Sequence, residues 1–244
     1  MARYFIEVAY IGKRYAGFQI QQNANTIQAE VENALQVYFR ESLALTGSSR
    51  TDTGVHAAQN FFHFDYLIDK AQALNDSVYH LNAILPSDIV VKRIYGVTDD
   101  AHCRFDAKSR EYEYKIYASK NPFIVDYAYY YPYPLDIELL NQAAAIIQST
   151  EDFQSFSKKN TQVYTYKCKI EVSCWSREGD LLVYNVKGSR FLRGMVRGLV
   201  GTMLKVGTKK IDLNEFISII NAHDSSKVDF STPPQALTLK KVNY

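Results

Sequence analysis

Hydrophobic spacing along this chain switches between a two-residue and a three-to-four-residue period in a set order, and the order comes round twice. Residues 5–10 read as a strand. Thr26 can cap a helix on which Ile27, Val31, Ala34, Leu35 and Tyr38 draw one apolar face. Leu43-Ala44-Leu45 is short and strand-like, and residues 60–66 read as another strand. Residues 69–84 suit a helix, Leu85-Pro86-Ser87-Asp88 a loop, and residues 89–95 a strand. Strand, helix, strand, strand, helix, strand is the split β-α-β order of ferredoxin-like domains. The second pass begins near residue 105. Residues 111–117 alternate strictly, so Tyr112, Tyr114 and Ile116 share a face. Asp136 opens a helix with Ile137, Leu140, Ala144 and Ile147 on one side. Residues 163–175 and 180–187 form a hairpin turned by Glu178-Gly179-Asp180. A long helix is expected over 190–206, a shorter one over 212–222, and a last strand over 236–242. The fold class expected is α+β, with two ferredoxin-like halves and antiparallel sheets, divided as 1–104 and 105–244.

At 244 residues the chain is long enough for one large domain or two small ones. It is 47% hydrophobic and 22% charged, as a soluble globular protein is. A net charge of +2 does not mark a nucleic-acid binder, so any such role must rest on local charge. Three cysteines, Cys103, Cys168 and Cys174, make no C-x-x-C pair, which fits a reducing compartment without a disulfide frame. The N-terminus begins with a strand-like segment rather than a signal peptide, and no run of about 18 apolar residues is present, so no membrane span is expected. The cytoplasm is the expected location. His56, His63, His80, His102 and His223 lack metal-ligand spacing, and His102-Cys103 reads as structural. No glycine-rich nucleotide loop occurs. No metal site and no nucleotide cofactor are expected.

Three stretches carry chemistry. The first is Gly47-Ser48-Ser49-Arg50-Thr51-Asp52-Thr53-Gly54-Val55-His56-Ala57. Asp-Thr-Gly is also the core of aspartic proteases, which need a partner carboxylate sharing a proton. Arg50, two residues before Asp52, favours an ionised carboxylate instead, and an ionised carboxylate is a nucleophile. The second is basic: between residues 181 and 210 no acidic residue occurs, whereas Lys187, Arg190, Arg193, Arg197, Lys205, Lys209 and Lys210 are cationic. On a helix, Arg190, Arg193 and Arg197 would line one face, either a solvated surface or a track for phosphates. Gly194, Gly198 and Gly201 weaken that helix at about 1 kcal/mol each, which suggests close packing or ligand approach. The third is Arg110-Glu111-Tyr112-Glu113-Tyr114. Its alternation sets Arg110, Tyr112 and Tyr114 on one side, as a base-stacking platform or as core tyrosines under a helix.

Together these residues resemble the tRNA pseudouridine synthase A family over nearly the whole chain. The family's G-R-T-D-A-G-V-H-A motif is similar to residues 49–57, its R-x-Y-x-Y strand to 110–114, its F-x-x-x-M-V-R helix start to 191–197, and its L-P-x-D-I loop to 85–89. The resemblance implies an isomerase that converts uridine to pseudouridine at positions 38, 39 and 40 of the tRNA anticodon arm, without cofactor or metal. It implies two α+β halves around a central RNA-binding groove, tRNA as partner, and a homodimer. By the same resemblance Asp52 is the catalytic aspartate. Tyr112 is the tyrosine that stacks on the uracil, and a candidate for taking the C5 proton. Arg197 is the arginine that pairs with the aspartate, and Arg50 helps position RNA and flip the base. Arg14, Arg110, Lys187, Arg190 and Arg193 are further candidates for RNA contact. Departures are Tyr10-Ile11-Gly12 for the family's Y-D-G, Phe18 for its tryptophan, and Thr53 after the aspartate. Two other readings remain: a non-catalytic RNA-binding protein and an aspartic hydrolase.

Overall fold

The computed structural model describes residues 1–67, 71–158 and 163–244. In chain order the first elements are β1 (Ala2–Tyr10), a 3-10 turn (Gly12–Arg14), α1 (Ile27–Phe39), β2 (Thr46–Gly47), β3 (His56–Tyr66), α2 (Ala71–Ile84) and β4 (Ile89–Val97). Then come β5 (Ser109–Tyr117), β6 (Tyr129–Tyr130), α3 (Ile137–Ser149), β7 (Ile170–Glu178), β8 (Leu181–Gly188), α4 (Met195–Gly207), α5 (Leu213–Asn221) and β9 (Leu237–Asn243). The protein is mixed α and β, and its strands pair mostly antiparallel. No helix among the described residues is long and apolar enough to cross a membrane.

Two compact units emerge, Met1–Lys108 with Leu239–Tyr244, and Ser109–Thr238. The boundary expected at 104/105 falls at 108/109, and the expected C-terminal half gives its last strand to the first unit. Hydrogen bonds account for this: Lys108 N donates to the carbonyl of Asn243, and Val242 N donates to the side-chain Oε1 of Gln59 on β3.

In the first unit the strands run β4-β1-β3-β9, with β2 also paired to β3. β1 is antiparallel to both β3 and β4, with Ile6 opposite Phe62 and Ile94. Ile6, Val8, Phe62 and Phe64 are buried, as are Ile27, Val31, Ala34 and Leu35 on α1. Thr26 caps α1 by accepting from Ala29 N, as expected. The expected strand at 43–45 does not form. Leu45 N donates to Glu32 Oε1 and its carbonyl accepts from Gln28 Nε2, so α1 side chains take the place of a neighbouring strand. Pairing begins one residue later, at Thr46. The expected helix start at 69–70 lies outside the described residues.

In the second unit the order is β5-β8-β7, all antiparallel, with Tyr114 opposite Tyr184 and Tyr184 opposite Trp175. Asp136 and Asp212 cap α3 and α5, accepting from Leu139 N and Glu215 N. The hairpin turns at Gly179 (φ +59°), but β7 starts at Ile170 rather than 163. Upstream of it, Tyr166 and Cys168 bond to Phe153 and Glu151, so this stretch follows the loop after α3 instead of the ladder. Each unit also fixes a strand to a helix through one asparagine. Asn82 on α2 bonds both backbone groups of Val91, and Asn141 on α3 both those of Trp175.

The helix expected over 190–206 starts only at Met195. Gly194 is its N-cap with φ +73°, a left-handed conformation that cannot continue an α-helix. Arg190 and Arg193 therefore sit on the preceding loop, and they do not share a helix face with Arg197. The later glycines answer to packing. A Cβ on Gly201 would lie 2.2 Å from the carbonyl oxygen of Asp229, and one on Gly198 would lie 2.8 Å from Phe230 and Val228.

Candidate functional site

Asp52 stands on the loop from β2 to β3, and nearly every neighbour of Asp52 is tied down. Tyr10 Oη and Thr51 Oγ1 share a hydrogen bond of 2.8 Å. Asn60 Nδ2 reaches both Tyr10 Oη and the carbonyl of Ser49. Phe18 N donates to the carbonyl of Thr51, and Ser48 N to that of Phe61. Val55 N closes a turn onto the carbonyl of Asp52 at 3.1 Å. Gly54 has φ +80°, the value a type II turn asks of its third residue and one that penalises a side chain. Gly12 packs so closely that a Cβ there would lie 2.0 Å from the carbonyl oxygen of Val55, and its N–H donates to His56 Nδ1. Ser49 and Thr51 are buried, Asp52 is half-buried, and Arg50 is exposed. The motif thus buries Ser48, Ser49, Thr51 and His56 in the unit and leaves Arg50, Asp52 and Thr53 accessible.

The supporting residues Tyr10, Phe18, Asn60 and His56 were not among the expected site residues. Asn60 did carry a signal, as a polar residue opening an otherwise aromatic run, Asn60-Phe61-Phe62-His63-Phe64. Arg14 is held by Asp88 at 2.7 Å, and Tyr15 Oη donates to the other oxygen of that carboxylate. The 85–88 loop thereby supports the segment after β1.

In the second unit Tyr112 on β5 is buried, and its ring meets Phe191 edge-on with centroids 5.0 Å apart. Arg110 Nη1 donates to the carbonyl of Ser189. Tyr114 takes no part in a stacking platform. It is fully buried, its hydroxyl donates to the carbonyl of Pro233, and burial pushes that hydroxyl well above the ordinary tyrosine range. Of the two readings of this strand, Tyr114 follows the core one. Arg197, in the first turn of α4, donates Nε to the carbonyl of Thr232 and Nη2 to that of Phe230.

The basic run is less positive than its sequence implies, because acids from elsewhere meet it. Lys187 pairs with Glu171 at 2.8 Å, Lys209 with Asp136 at 3.2 Å and Lys205 with Asp229 at 3.8 Å. Arg190 is half-buried and Arg193 exposed. Among the described residues no cluster of histidine, cysteine or acidic side chains could hold a metal ion.

A family model described as tRNA pseudouridine synthase matches residues 6–106 and 143–244. The chain belongs to the tRNA pseudouridine synthase family. Curated relatives agree along the full length. The tRNA pseudouridine synthase A of Parabacteroides distasonis is 41% identical, over 100% of this chain and 96% of its own. That of Bacteroides fragilis is 42% identical, over 99% and 96%. That of a Staphylococcus aureus strain is 36% identical, over 98% and 91%. The family model covers the Asp52 loop and α4 but not 107–142, so it is the full-length relatives that take in β5 with Arg110 and Tyr112.

Proposed function

We propose that this chain isomerises uridine to pseudouridine in tRNA, at positions 38, 39 and 40 of the anticodon arm. The observation that carries this is the family match over both units, with Arg50-Thr51-Asp52 of the aspartate motif on an anchored loop. The reaction breaks the bond from N1 of uracil to C1′, forms one from C5 to C1′, and releases the C5 hydrogen as a proton. Asp52 is the nucleophile. Its attack falls on C1′ or on the base, or it drives formation of a glycal. Tyr112 stacks on the loosened uracil and stands by to take the C5 proton. Arg197 has the role of keeping Asp52 ionised; two of its five N–H donors are used on Thr232 and Phe230, which fixes the guanidinium plane.

Taking the uridine out of its stack costs a few kcal/mol. Phosphate contacts by Arg50, Arg110, Arg190 and Arg193 offset that cost; Arg14 and Lys187 reach phosphate only while sharing a carboxylate. The two units, Met1–Lys108 with Leu239–Tyr244 and Ser109–Thr238, act as two ferredoxin-like halves. The order β4-β1-β3-β2 in the first, all antiparallel, supports that description. A cytoplasmic homodimer holding one tRNA across both subunits completes the proposal. Tritium release from tRNA labelled at C5 of uridine tests it. Steady release with pseudouridine in the product is expected. Binding without release supports the non-catalytic RNA-binding reading, and neither binding nor release overturns both.

A further inference from the structure

Beside the Asp52 loop, within the first unit, lies an open cleft of about 220 Å³. Phe18, Gln19, Gly47, Arg50, Arg104 and Phe105 contribute to its lining. Its floor is rigid. The ring of Phe18 lies flat on Phe62, with centroids 4.4 Å apart and planes at 12°. Gly47 has no room for a side chain against it, since a Cβ would come within 2.2 Å of Phe18 Cε1. The opposite rim is a turn closed on itself. His102 N donates to Asp106 Oδ2, and His102 Nδ1 accepts from Arg104 N. This turn holds the Phe105 ring outward, 74% exposed, against the imidazole of His102. The Arg104 guanidinium sits 5.7 Å from the Phe105 centroid.

A lone exposed phenylalanine needs no explanation. This one shares a preformed cleft with two guanidiniums, and one of them, Arg50, precedes Asp52 by two residues. The volume falls below the roughly 300–1,000 Å³ of sites for drug-sized ligands, so it suits one planar ring system. An aromatic face beside arginines is how proteins take an unstacked base and its phosphate.

We propose that this cleft is a second nucleotide subsite, which takes an unpaired nucleotide near the target uridine: the base stacks on Phe105, and Arg50 and Arg104 hold its phosphate. The inference rests on the reading of the chain as a tRNA-modifying enzyme. It adds to that reading a grip on the single-stranded part of the substrate, apart from the uracil that reacts.

The test uses the full chain and a stem–loop RNA of the anticodon arm carrying 2-aminopurine at one unpaired position at a time. At one position, binding should quench the fluorescence. Phe105→Ala should abolish that quenching and weaken binding roughly 5- to 150-fold, the range for loss of one stacked base. Phe105→Trp should keep both, whereas Phe105→Leu, apolar but without a π face, should behave like the alanine variant. The exposed side chain makes these variants neutral for folding, which an unchanged melting temperature verifies. Quenching that survives in Phe105→Ala, or is absent at every position, overturns the subsite. Tritium release by the unaltered protein separates the two readings. Quenching without release leaves the subsite and removes the enzyme, and release with unchanged KM in Phe105→Ala removes the subsite alone.

Discussion

Arg197 and Thr232 hold each other from both directions. Arg197 Nε donates to the carbonyl of Thr232 at 2.7 Å, and Thr232 Oγ1 donates to the carbonyl of Arg197 at 3.0 Å. Thr232→Val keeps the shape of this buried side chain but removes one arm of the clasp. A stability loss of about 1 kcal/mol is expected. On the proposed role of Arg197, a fall on the order of 10- to 100-fold in kcat should accompany it, because small misplacements of a positioning group are expensive. Single-turnover rates at saturating tRNA, beside melting curves, would show both effects. A stability loss with an unchanged rate would separate the clasp from catalysis.

Asp52→Asn removes the charge while leaving the loop its anchors, which run through Thr51, Ser49 and backbone groups. The variant should fold normally, bind tRNA within about threefold of the parent, and form no pseudouridine. Binding titrations and product analysis check the two halves of that statement. Substantial residual product would falsify the nucleophile assignment.

His63 is a pH-sensitive support of the first unit. It is buried, its Nδ1 accepts from the backbone N–H of Cys103 at 3.3 Å, and burial lowers its pKa to about 4. The folded protein therefore resists protonation that the unfolded chain accepts below about 6.5. Stability is full above that pH and declines as pH falls toward 4, by about 3 kcal/mol over the window. Urea midpoints measured across pH 7 to 4 should trace this slope, and His63→Phe should flatten it.

Gly201→Ala reverses the usual helix rule. On an open helix the change would stabilise by about 1 kcal/mol. Here the new methyl meets the carbonyl oxygen of Asp229. Overpacking of this kind typically costs about 1–3 kcal/mol, so melting should fall by roughly 2–12 °C. A calorimetric scan of the variant decides the sign.

Local signals carried much of this fold. The caps at Thr26, Asp136 and Asp212 act as their residue types require, and the turn at Gly179 closes the expected hairpin. What escaped the sequence was long-range. Leu43-Ala44-Leu45 has strand-like spacing, yet Gln28 and Glu32 satisfy the backbone of Leu45 from a helix. Arg190 and Arg193 have helical spacing to Arg197, yet Gly194 turns left-handed between them. The partners of Lys187, Lys205 and Lys209 lie far along the chain, so a run without acids is not a run without counter-charge. At the Asp52 loop the motif was legible, but its anchors on Tyr10, Phe18 and Asn60 depend on pairings that no local pattern encodes.

The return of Leu239–Tyr244 to the first unit has a consequence for biosynthesis. The ring of Tyr244 packs on Phe5 and Phe61, 5.5 and 5.2 Å between centroids, and its hydroxyl donates to the carbonyl of Cys103. These contacts belong to residues that leave the ribosome after the whole of Ser109–Thr238. At roughly 5–20 residues per second, that delay is on the order of ten seconds. During it the nascent first unit presents two phenylalanines and an incomplete sheet edge, the surfaces a chaperone would be asked to shield.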